Sequence, residues 1–89
     1  MTKVYIVMGL SGEWSDAEYW EVSSYLDKGQ ADIHCSHCNK IVKEMSEGDR
    51  GTKRNPYDPD MRYARNISYA VTEVPLFDHF DQFQESVGL

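Results

Sequence analysis

Four side chains able to bind a metal or carry thiol chemistry crowd into five positions: His34, Cys35, His37 and Cys38. A Cys-x-x-Cys pair beside an imidazole suits two chemistries. Zinc takes thiolate and imidazole ligands in a tetrahedral set, usually of four. A redox pair needs one thiol of lowered pKa, ordinarily at a helix N-terminus that follows a strand. Two carboxylate clusters add a third option. Glu13, Asp16 and Glu18 lie early in the chain, and Asp58 and Asp60 lie later. Paired carboxylates serve acid–base work or hold a hard cation.

The element that must position the Cys-x-x-Cys pair decides what it is for. Residues 27–48 read as a helix, with Asp27 as its N-cap and Gly48 as its stop. At 3.6 residues per turn, Ala31, Cys35, Cys38, Val42 and Met45 form one continuous stripe, flanked by His34 and Ile41. Both thiols fall in the middle of that stripe, where a sheet must pack. Free cysteine packs as a small hydrophobe, so the core uses both thiols and leaves nothing over. The pair also sits about two turns inside the helix, away from the redox position. His37 points off the stripe and reads as a solvated residue. A zinc site built on Cys35, Cys38 and His34 stands as the rival reading; outside the cluster the chain has one further histidine, His79.

The carboxylate clusters lack the Asp-x-Asp-x-Asp-Gly spacing of a calcium loop and read as turn chemistry and solubilising charge. There is no phosphate-binding glycine motif, nucleophile elbow or His-Glu-x-x-His. No cofactor is expected, and the chain is read as non-enzymatic.

Around the helix, residues 3–8 alternate with apolar side chains on both faces, which marks a central strand. Gly9 and Gly12 are expected to end it. Residues 18–26 form a second strand, with Trp20, Val22, Ser24 and Leu26 on one face and Tyr19, Glu21, Ser23 and Tyr25 on the other. Residues 67–76 form a third, which Pro75 ends or places at an edge. Residues 49–66 read as a long, mobile loop, with a helical turn near Pro59 capped by Asp58. Residues 77–89 are an acidic tail whose Phe77, Phe80 and Phe83 suit a short amphipathic helix. The order β-β-α-β and the right-handed crossover rule give an α+β fold: a three-stranded antiparallel sheet, order 2-1-3, with one helix on one face.

The 89 residues suffice for a single domain, 1–89, with a modest core. A net charge of −6 argues against a nucleic-acid coat and suits a partner with a basic surface. Residues 50–65 hold five of the nine basic residues, so a nucleic-acid-associated module is an alternative. No apolar run is long enough to span a bilayer. Two cysteines three apart, with none to pair elsewhere, suit a reducing cytosol. Exposed aromatics beside acids are the candidate partner-binding residues: Glu13, Trp14 and Asp16; Tyr57, Asp58 and Asp60; Phe80 and Asp81. A self-associating structural subunit, monomeric or a small homo-oligomer, is the plainest alternative.

Two short stretches carry a likeness: Gly12-Glu13-Trp14-Ser15-Asp16, and Tyr69-Ala70-Val71-Thr72-Glu73-Val74-Pro75-Leu76. With the Trp20-x-Val22 strand and the helix start, they resemble a family of small accessory proteins of tailed bacteriophages. The resemblance covers the sheet and helix, and not the tail. It implies a protein made in the cytoplasm of an infected bacterial host, one that binds and modulates a host or defence protein. It supplies no catalytic residues.

Overall fold

The central strand is apolar on both faces and sets the layout of everything around it. A computed structural model describes residues 2–12, 15, 17–45, 55–61 and 66–89. Five elements follow in order: β1 (Lys3–Ser11), β2 (Glu18–Tyr25), α1 (Lys28–Glu44), β3 (Ser68–Pro75) and α2 (Phe80–Ser86). The sheet order is β2-β1-β3 and both pairings are antiparallel, so the chain has the expected α+β fold. Pro75 is the last residue of an edge strand, where its missing N–H costs no ladder bond.

β1 runs three residues further than its glycines suggested. Gly9 does not break the strand; it lies within it, paired with Trp20 on one side and Tyr69 on the other. The indole of Trp20 covers the bare Cα. A Cβ at residue 9 would overlap the ring, coming to 2.5 Å from Cζ2. The strand ends at Gly12, whose φ of 76° is the left-handed turn that glycine adopts without strain.

β2 changes phase partway along. Val7 pairs with Ser23 but Met8 pairs with Glu21, so Val22 is the extra residue of a β-bulge. Trp20 and Val22 face the core as expected. Beyond the bulge Ser23 and Tyr25 face α1, whereas Ser24 and Leu26 are exposed. Strict alternation had placed the last four the other way round.

The Asp27 carboxylate caps α1, accepting from the Gly29 amide at 2.7 Å. The helix ends at Glu44 with Met45 extended; the expected stop, Gly48, lies outside the described residues. Ala31, Cys35 and Cys38 are the buried residues of α1, and they meet Val7 and Tyr69 in one cluster edged by Val42, Val71 and Tyr25. The apolar stripe is therefore where the wheel put it. The Asn39 side chain ties the helix to β3, donating to the Tyr69 carbonyl at 3.1 Å and accepting from its amide at 2.9 Å.

The tail forms α2, but it does not cover the sheet. Phe83 packs edge-on against Phe77 and stacks on Phe80, and Phe80 remains 70% exposed. The shortest extent of the Cα trace is 15 Å, enough for a sheet and one helix at about 10 Å spacing and not for a third layer.

Gly9→Ala should lower stability by about 2 kcal/mol or more, because an overpacked strand must displace a buried indole. In a double-mutant cycle, Trp20→Ala should absorb most of the Gly9→Ala penalty. Urea unfolding of the four proteins measures this, and additive losses would mean that the two residues do not share the space described.

Candidate functional site

Asn-Pro-Tyr-Asp-Pro, residues 55–59, builds two consecutive turns. The Asp58 amide bonds to the Asn55 carbonyl, and the Met61 amide to the Asp58 carbonyl, both at 3.0 Å. The Asn55 side chain shapes the first turn by accepting from the Tyr57 amide at 3.0 Å. Its Nδ2 donates to the Cys38 carbonyl at 3.0 Å, which fastens the turn to α1. The described part of the predicted loop is thus packed: Asn55, Asp58 and Met61 are all buried.

The turn drives the Asp58 carboxylate inside, where it is 1% exposed. Oδ2 accepts two hydrogen bonds, from Trp20 Nε1 at 2.9 Å and from the Tyr69 hydroxyl at 2.8 Å. Oδ1 is buried without a hydrogen-bond partner. The two donors come from β2 and β3, on either side of Gly9, and their rings meet edge to face with centroids 6.4 Å apart. Burial, then the Asp58 bond and its charge, push the Tyr69 phenol well above its ordinary range. Burial and the same carboxylate push the Cys38 thiol up to about 12.

His34 is a second fastener. Nε2 donates to the Tyr57 carbonyl at 2.7 Å, and Nδ1 faces β2. Both the Ser23 and Tyr25 hydroxyls lie 2.8 Å from Nδ1. A serine beside an imidazole is half of a nucleophile–base pair. Here two hydroxyls share one ring nitrogen, and the other nitrogen is committed to a packed turn. The ring joins α1, β2 and the turn.

The His34–Cys38 cluster is dispersed by contacts of this kind. The Cys38 thiol donates to the Tyr57 carbonyl at 3.6 Å, and Cys35 accepts from Asn39 at 3.7 Å. The Cys35 thiol is also raised, by burial first and then by Asp32, which is the reverse of what a redox nucleophile needs. His37 is exposed, with its ring 4.8 Å from that of Tyr57. Among the described residues no three metal-ligating side chains come together.

Of the candidate partner-binding residues, Asp58 must be corrected: a buried carboxylate that fastens the core is not presented to a partner. Tyr57, Asp60, Phe80 and Asp81 are exposed. Glu13, Trp14 and Asp16 lie outside the described residues, as do the five basic residues of 50–65. No periodicity in the sequence points to the Trp20–Asp58–Tyr69 centre. Its one sequence signal is the Asn-Pro-Tyr-Asp-Pro stretch, since an Asn or Asp set among prolines is a turn that also carries a buriable acceptor.

The surface opposite α1 is different in kind. Val4, Ile6, Met8 and Leu10 of β1 line it and are only half-buried. Tyr19 at one end is 64% exposed, and Val74 and Leu76 at the other are also exposed. The helices are too short or too polar to cross a membrane among the described residues. No protein-family model matches the chain, and no curated protein sequence or solved structure matches it.

Asp58→Ala should cost about 3 kcal/mol or more, because two buried donors lose one acceptor, while Asp58→Asn, which keeps an oxygen, should cost less. Urea unfolding followed by tryptophan fluorescence measures both; equal small losses would remove Asp58 from the centre of the fold. Stability should also fall as pH rises from 9.0 toward about 12, because the unfolded chain releases the Cys38 proton first. Cys38→Ala should make that decline shallower, and an unchanged slope would assign it elsewhere.

Proposed function

We propose that this chain is a non-enzymatic bacteriophage accessory protein that acts in the cytoplasm of an infected bacterial host. It binds and modulates a host or defence protein through an acidic, aromatic-bearing surface. One observation carries the reading: chemistry-bearing groups and exposed apolar groups are segregated. Asp58, Tyr69, Cys38 and Asn55 are buried and turned toward one another, where they fasten the core. Among the exposed apolar side chains, Tyr19, Val74 and Leu76 line shallow depressions with Glu21, Asp60, Asp78 or Glu85, and Phe80 precedes Asp81 in the chain. Large exposed apolar groups near like charges mark an interaction surface on a small soluble domain. The bacteriophage setting rests on the resemblance of residues 12–16 and 69–76.

A partner with a basic surface follows from the charge of −6. Immobilised protein should retain a partner from bacterial lysate at low salt and release it as ionic strength rises. Phe80→Ser combined with Asp81→Lys should weaken retention. Failure of the wild type to retain any protein at high bait concentration and low salt would reject the proposal.

A further inference from the structure

Among the described residues, no element covers the sheet face opposite α1. Two shallow depressions lie on this face and a third adjoins it beyond the strand ends, each sharing a residue with the next. One, of about 420 Å³, spans all three strands over Val4 and Ile6, with Glu21 and Leu76 at its sides. The second adjoins it at Glu21 and continues past Met8 and Tyr19 to Asp60. The third adjoins it at Leu76 and runs beside α2, past Asp78 and Glu85. The first two make a trough along β1 from Val4 to Met8, and the third extends it past the strand ends toward α2. Its floor is apolar over Val4, Ile6 and Met8, and among the described residues every charged side chain lining it is acidic: Asp60, Glu21, Asp78 and Glu85.

We infer that this trough is the docking site for a cationic amphipathic helix of the partner protein. The inference rests on the binding reading above and specifies which surface binds and what it takes.

The occupant must be apolar on one side to cover Val4, Ile6 and Met8, and basic at its margins to meet four carboxylates. A helix fits better than a strand. The face presents side chains, whereas an added strand pairs with backbone at an edge. The opposite face already carries α1 on the same three strands, so a docked helix would complete a three-layer arrangement. From Thr2 to Met8 the trough follows about 20 Å of strand, the length of a helix of roughly 13 residues.

Charge disfavours the two occupants nearest at hand. α2 carries Asp81 and Glu85 and would bring carboxylates onto Glu21. A second copy would set one acidic rim against another, on a chain of net charge −6.

The test uses the full chain and a synthetic 15-residue helical peptide with leucines at i, i+3, i+4 and i+7 and lysines on its margins. Its control replaces each lysine with glutamate. Amide NMR shifts should move at Val4, Ile6, Met8 and Val74 and stay unmoved at His37 and Lys40 on the outer side of α1. The lysine peptide should bind at least tenfold tighter than the control, and its affinity should fall with added salt. Glu21→Lys should weaken it about fivefold and Val74→Asp about tenfold. Should Val74→Asp fail to fold, Glu21→Lys alone decides. Equal binding of the two peptides, shifts confined to α1, no binding, or a dimer in sedimentation that occupies this face would each overturn the inference. Lysate capture separates it from the broader reading. Retention that survives Glu21→Lys and Val74→Asp but is lost with Phe80→Ser rejects the trough and keeps a binding protein. No retention by the wild type rejects the binding protein itself.

Discussion

One carboxylate oxygen holds the fold together. Asp58 Oδ2 accepts from Trp20 on one edge strand and Tyr69 on the other, across the bare Cα of Gly9 in the strand between them. Each part requires the others. Without glycine at residue 9 the indole has no place to lie. Without Trp20 and Tyr69 a buried carboxylate would lack the donors that repay its desolvation. Without the Asn55 turn the carboxylate would not enter the core at all. A domain of this size gains only a modest stability from apolar burial, so a polar centre that links β2, β3 and the 55–61 turn bears on the whole molecule.

That centre also changes what the histidine–cysteine cluster means. His34 and Cys38 both reach the Tyr57 carbonyl, and Asn55 reaches the Cys38 carbonyl. The residues that look most reactive in the sequence are those that fasten α1 to the turn. A thiol raised to about 12 by burial is a packing group and a weak donor.

The periodic parts of this fold were legible in the sequence. The α1 stripe, the three strands, their order and the Asp27 cap all follow from spacing and local chemistry. The rest depends on contacts between residues far apart in the chain. Gly9 reads as a strand breaker because nothing near it announces that Trp20 and Tyr69 will flank it. Asp58 reads as a surface acid because its two donors lie 38 and 11 positions away. The Val22 bulge leaves no mark on composition, so alternation misplaced Ser23, Ser24, Tyr25 and Leu26. Gly12, Asp27 and Asn55 carry local signals, whereas Gly9 and Asp58 acquire theirs only on folding.

The bulge gives β2 two reading frames. Before Val22 the inward positions answer to the Asp58 centre through Trp20; after it they answer to His34 through Ser23 and Tyr25. Pairing every residue of β2 in strict alternation, with no bulge at Val22, would leave the composition of the strand untouched. It would nevertheless turn Ser24 and Leu26 toward α1 and carry two hydroxyls out to solvent. Sequences descended from a common ancestor with this one would therefore align falsely if gaps were placed by hydrophobicity alone. The extra residue is a punctuation mark, and the number of residues between Trp20 and Tyr25 is as much a part of the message as their identities.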